Sequence, residues 1–234
     1  MQKNMNVFLV CLCACCLLIS CKVDSTQKDM PREDVPVETK APEVKQEVIA
    51  APTPQAQDEK TILMVLDFDS GNKPNNLGGD LGAWDKDPAD ETQTCAIIFE
   101  AGDDALGNEN GYSLRLTYDV DSPNPAYNGF WTKLEGEDLS NYSVLNFYIK
   151  GDATQGFTTK LKIEIKDFQN RVARYLLSGI TAEWQKVSIP FEKIPGMNRL
   201  DTTSMNELVI VFDDVNCSPK SGSILLDQVY ISKN

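Results

Sequence analysis

Aromatic rings set among hydrogen-bonding side chains are the most chemically suggestive residues in this sequence. In the segment Tyr127-Asn128-Gly129-Phe130-Trp131-Thr132-Lys133, an extended backbone puts Tyr127, Trp131 and Lys133 on one face. Asn128, Phe130 and, beyond the segment, Leu134 then fall on the other. Tyr127 and Trp131 stand about 13 Å apart along such a strand. Flat rings flanked by polar groups suit sugar rings, which present apolar C–H faces and a rim of hydroxyls. Asn146, Tyr148 and Lys150 form a similar mixed face on a second strand. Arg174 and Tyr175 are adjacent, so only one of them can join such a surface. The candidate binding surface is therefore Tyr127, Trp131, Tyr148 and either Arg174 or Tyr175. The competing reading places Trp131 and Tyr148 in a second core layer. Trp184 opens a strand with Val187 and Ile189 and is expected in the core, and Trp84 falls in a Gly- and Asp-rich stretch, Gly78 to Asp90, read as a loop, where an exposed ring would bind ligand and a tucked one, the favoured reading, would cap the sandwich.

Catalytic chemistry is harder to find. The chain has no histidine, which removes Ser-His-Asp and Cys-His catalysis and every His-ligated metal site. A paired-carboxylate hydrolase needs two acids flanking a cleft, one with a raised pKa. Asp67, Asp69, Asp213, Asp214 and Asp227 lie at strand ends, but with 35 Asp and Glu no pair stands out. Binding without turnover is the expectation. The net charge of −13 argues against nucleic acid or anionic headgroups as main partners, since both demand a basic footprint.

These residues must be positioned by elements, and the chain divides into three stretches. Residues 1–20 read as a signal peptide: Lys3 precedes an apolar run from Val7 to Ile19, too short to span a bilayer comfortably. The run ends Leu18-Ile19-Ser20-Cys21, which resembles the lipobox of bacterial lipoproteins. The resemblance implies cleavage before Cys21, a lipid on its thiol, and a membrane anchor in the cell envelope. Lys22 rather than Asp follows, which favours an outer membrane. Cys11, Cys13, Cys15 and Cys16 would leave with the signal. Residues 21–60 alternate Pro31, Pro36, Pro42, Pro52 and Pro54 with charged and small residues and hold no aromatic. Such a stretch cannot bury enough surface to offset its chain entropy and reads as a tether.

From Thr61 to the end, residues 61–234, the hydrophobic period becomes two. Leu114, Leu116 and Tyr118, then Leu145, Phe147 and Ile149, then Leu161, Ile163 and Ile165 alternate with polar residues, as half-buried strands do. Further strands are expected at Ile62–Phe68, Cys95–Phe99, Gly129–Leu134, Val172–Leu177, Gln185–Phe191, Leu208–Phe212 and Ile224–Ile231, separated by turn signals such as Pro123-Asn124-Pro125 and Pro195-Gly196. About ten short strands without an amphipathic helix predict an all-β, two-sheet antiparallel sandwich of jelly-roll type. Cys95 and Cys217 remain after processing, and either one disulfide or two buried thiols is compatible with the sequence.

A family resemblance runs through this last stretch. Leu66-Asp67-Phe68-Asp69-Ser70-Gly71 looks like the opening strand of galactose-binding-like sandwiches. Asn75-Asn76-Leu77-Gly78-Gly79, Gly82-Ala83-Trp84, Gly111-Tyr112-Ser113-Leu114-Arg115-Leu116, Trp184 to Phe191, and Gly222 to Val229 follow in order. The set is similar to family 11 carbohydrate-binding modules and to the complex I intermediate-associated protein domain. The first resemblance implies a glycan ligand, the second a protein partner in a structural or assembly role. The resemblance also implies a structural calcium ion held by Asp69 and Asp227, with backbone carbonyls near Gly71 and Tyr112 completing the six to eight oxygens calcium takes.

Overall fold

The computed structural model of the protein describes residues 61–233. The signal peptide, Cys21 and the tether lie outside the described residues. Eleven strands fill the described chain. They are β1 (Ile62–Leu66), β2 (Leu81–Asp85), β3 (Thr94–Ala101), β4 (Tyr112–Asp119), β5 (Tyr127–Lys133), β6 (Val144–Gly151), β7 (Lys160–Asp167), β8 (Val172–Ser178), β9 (Gln185–Pro190), β10 (Met205–Asp213) and β11 (Ser221–Ser232). Two short 3₁₀ turns, Phe191–Lys193 and Met197–Arg199, are the only helical elements among the described residues.

The strands form two antiparallel sheets. One runs β3-β4-β11-β6-β9 with β1 added beside β11, and the other runs β2-β5-β10-β7-β8. Alternation dictates this layering. Leu114, Leu116, Ile149, Leu161 and Ile165 are at most 1% exposed and meet between the sheets, while their neighbours in sequence face out. Tyr118 stacks on Phe212 across the interior, with ring centroids 4.2 Å apart. The register of β11 shifts between Asp227 and Tyr230, around Gln228 at φ 48°. This bulge lets one long strand pair with β4 along its first half and with β1 along its second.

Three departures from the sequence reading matter. First, Leu81–Asp85 is a strand, not part of a loop. Its glycine and acid content masked it, yet Leu81 is buried in the core and the strand pairs residue by residue with β5. Second, Trp184 does not enter the core. It lies on the outer side of the six-stranded sheet, with the Lys150 Nζ 4.9 Å from its ring centre and its own N–H donating to Asp103 at 3.3 Å. Third, Cys95 and Cys217 are both buried and both free. Burial pushes their thiols up to about 12 and about 11, so neither is a nucleophile at neutral pH.

Candidate functional site

The outer face of the five-stranded sheet gathers the aromatics. Reading across the strands, Gly82 on β2, Trp131 on β5, Val209 on β10, Glu164 on β7 and Arg174 on β8 share one row. Trp84, Gly129, Val211, Lys162 and Leu176 form the next. Lys133, Glu207, Lys166 and Val172 form a third. Val209 and Val211 are nearly sealed although they point away from the core. They make an apolar floor under the longer side chains.

Aromatic walls rise on the β2–β5 side. Trp84 and Tyr127 meet edge to face at 5.7 Å, and Tyr127 remains 42% exposed. Lys86 and Lys133 each place Nζ 5.4 Å from a ring centre, over Tyr127 and Trp131 respectively. Opposite, charged side chains form a lattice. Lys133 and Lys166 both bond Glu207, Arg174 bonds Glu164 at 2.7 Å, and Lys162 lies 3.1 Å from Asp213. Burial works against the Glu207 charge, but Lys133 and Lys166 outweigh it and hold the carboxyl below its usual range. Asp213 is likewise lowered despite burial, by Asn216 and Lys162. Both acids are therefore kept ionised, the opposite of what a general acid in glycoside hydrolysis requires.

Two hollows lie on this face. One, about 300 Å³, is bounded by Trp84, Trp131, Lys133, Lys166, Glu207 and Val209. The other, about 510 Å³, is bounded by Trp84, Tyr127, Lys162, Arg174, Val211 and Asp213 among others. They share Trp84 and Lys166 and so form one groove.

The structure divides the residues picked out from sequence. Tyr127, Trp131 and Arg174 come together on this face. Tyr148 sits on β6 of the other sheet, paired with Lys186 and Asp227. Tyr175 turns inward and packs against the core, as its adjacency to Arg174 requires. Sequence reasoning favoured Trp84 as a cap of the sandwich over a binding residue, and it did not single out Glu207, Lys162, Glu164 or Lys166. The last three were visible as the polar side of β7, but nothing in the sequence told which sheet that side would complete.

Of the acids proposed for calcium, Asp227 lies at the β11 bulge and Asp69 in the connection between β1 and β2. Asp227 is fully buried, with Oδ2 accepting the Ala105 N–H at 2.8 Å and Oδ1 the Gln228 N–H at 2.7 Å. Burial pushes its carboxyl up to about 7, with Asp104 and Asp69 adding repulsion. Asp69 is raised by burial, then by Asp67 and Asp104. Mutual repulsion among neighbouring acids, two of them buried, is the setting a divalent cation relieves. The donor set does not close, however: among the described residues no three Cys, Asp or Glu side chains are grouped to hold a metal ion.

No curated protein matches the chain. Solved structures do. The family 11 carbohydrate-binding module of the cellulosomal cellulase Lic26A-Cel5E of Clostridium thermocellum is 16% identical with a TM-score of 0.53, over 74% of this chain and 95% of that one. A family 11 module from Clostridium thermocellum in complex with a β-1,3-1,4-mixed-linked tetrasaccharide gives 0.54 at the same identity and coverage. An exo-β-agarase is 13% identical with a TM-score of 0.53, over 73% of this chain and 25% of that one. At such identities these likenesses establish the sandwich fold. The family itself is set by a match to carbohydrate binding domain 30 over residues 78–233, more than half the sequence. The chain belongs to the carbohydrate binding domain 30 family.

Proposed function

We propose that the outer face of the five-stranded sheet binds a carbohydrate chain and does not cleave it. One observation carries this reading: Trp84, Tyr127 and Trp131 wall a continuous groove whose other side is a lattice of ion-paired donors and acceptors over an apolar floor. Rings take the C–H faces of a sugar, and the fixed charged groups take its hydroxyls. Tyr127, Trp131 and Arg174 are retained as ligand-binding residues, and Trp84 joins them. The tetrasaccharide bound by the family 11 relative supports an oligosaccharide as the ligand class. The lowered Glu207 and Asp213 support binding without turnover. A structural role through protein contacts finds less support, since a flat apolar face with few hydrogen-bonding groups would favour it, and this face is grooved and charged. The test is calorimetric titration of the wild type and Trp131→Ala with soluble glucans, mannans and agar oligosaccharides. Binding by the wild type, weakened in the folded variant by about 1–3 kcal/mol, is the expected outcome. Equal affinities remove Trp131 from the site.

The chain is further proposed to be a lipoprotein, cleaved before Cys21 and anchored by lipid in the outer membrane, with residues 21–60 as its tether. The apolar run and lipobox-like Leu18 to Cys21 support this. Calcium between Asp69, Asp104 and Asp227 is proposed on electrostatic grounds alone, and closing its donor set requires the acids to draw together.

A further inference from the structure

At the rim of the five-stranded sheet, directly behind the aromatic walls, two side-chain oxygens have nothing to bond. Asp85 ends β2 and Asn128 is the second residue of β5, and the two are direct partners in register. Residues opposite one another in an antiparallel pair hold their Cβ atoms about 5 Å apart on the same side. That side is the inner one, because their chain neighbours Trp84 and Tyr127 take the outer side. Asn128 is fully buried. Its amide nitrogen donates to the carbonyls of Thr94 at 2.8 Å and Asp119 at 2.7 Å. Those two bonds fix the amide's orientation, since a reversed amide would set its oxygen against two carbonyls. The Asn128 Oδ1 must therefore accept, and it is sealed without a donor. The Asp85 Oδ1 is sealed without a donor too. The Cys95 N–H supports the Asp85 carboxyl, so Asp85 and Asn128 both reach the same Thr94–Cys95 stretch of β3. An ionised Asp85 leaves two bare acceptors on paired residues of the same sheet face. A single proton satisfies both.

We propose that Asp85 is protonated in the folded protein and donates its carboxyl O–H to the Asn128 Oδ1, making it a positioning residue for the Trp84–Tyr127 wall. The proposal rests on the reading of the outer face as a glycan site. The surroundings offer the carboxyl no cation. The Cys95 thiol on β3 is neutral, and the Asp119 carboxylate on β4 accepts the N–H of Asp121. Lys86, next on the chain, lies over the Tyr127 ring and donates to the Pro125 carbonyl. No ion pair among the described residues includes Asp85, and burial raises its pKa. A raised folded-state pKa means that the stabilising bond is present at low pH and is lost as pH rises through that value. Loss of the bond frees the β2–β5 rim on which Trp84 and Tyr127 stand.

The experiment compares full-length wild type with Asp85→Asn and Asp85→Leu from about pH 4.5 to about pH 8. Thermal unfolding midpoint and calorimetric affinity for a mixed-linked β-glucan oligosaccharide are measured in each. In Asp85→Asn the new amide donates to the Asn128 Oδ1 at every pH and its oxygen still accepts from Cys95. The wild type is expected to lose midpoint and about three- to tenfold in affinity as pH rises. Asp85→Asn should hold its low-pH affinity and keep only the midpoint slope that Asp227, raised to about 7, gives all three forms, and Asp85→Leu should bind weakly at every pH with that same slope. A wild-type midpoint slope no steeper than that of Asp85→Asn overturns the bond. A midpoint that moves while affinity stays constant overturns the positioning role. Absence of binding by every form at every pH overturns the glycan reading, and the positioning role with it, independently of the midpoints.

Discussion

Trp131 owes its place in the groove to the residue it lies on. An ideal Cβ added at Gly82 would come within 3.2 Å of the Trp131 indole, so the ring rests on bare backbone from the neighbouring strand. Gly82→Ala should lift the indole by a few tenths of an ångström. Glycan affinity is expected to fall about two- to fivefold while the unfolding free energy changes by about 1 kcal/mol or less. Calorimetry beside denaturant unfolding checks this, and unchanged affinity would show that the ring's seating is immaterial. The pairing of Gly82 with Trp131 was beyond reach of the sequence. Within β5, Tyr127 and Trp131 stood on one face by alternation alone, with no knowledge of neighbours. Trp84 was assigned to a loop because Gly82 and Asp85, which look like loop residues, are the two positions that strand β2 uses for close packing and for its buried polar pair.

The elements are held as much by polar turns as by the core. Asp167, fully buried where β7 ends, accepts N–H groups from Gln169, Arg171 and Asp201 and the Arg171 Nε at 2.6 Å. Burial opposes its charge, but the donors of Asp201 and Arg171 prevail and lower its pKa. A lowered folded-state value contributes stability that is present above the ordinary carboxylate pKa and is lost as pH falls through the folded one. Asp167→Asn should therefore lower the midpoint at neutral pH and flatten the decline below about pH 4. An acid limb identical to the wild type's would assign that decline to other carboxylates. Strand positions were legible because period-two alternation is local. Sheet membership was not, because β10 reaches β5 and β7 over long stretches of sequence. Tyr148 illustrates the cost: its strand was read well, but its face belongs to the other sheet.

For the whole molecule, charge and attachment are the properties to test. If calcium relieves the repulsion around Asp227, excess calcium should raise the midpoint of the wild type by mass action, following RT ln(1 + [L]/Kd). Asp227→Asn should not respond, and a wild-type midpoint indifferent to both calcium and chelator would dismiss the ion. For attachment, Cys21→Ser should leave an unprocessed or soluble form, and membrane fractionation of that variant at the wild type's gel mobility would refute lipidation.

The pairing of β1 with the second half of β11 sets Ile62 opposite Ser232, and Lys233 donates its N–H to the Thr61 carbonyl at 3.1 Å. The two ends of the described chain thus leave side by side from the six-stranded sheet, while the groove belongs to the five-stranded one. A resin, a dye or a fused reporter can be attached at either end and the groove left clear. The same adjacency marks a short peptide bridge between residues 61 and 233 as the natural splice for a circularly permuted form, with its new ends cut in a loop far from Trp84.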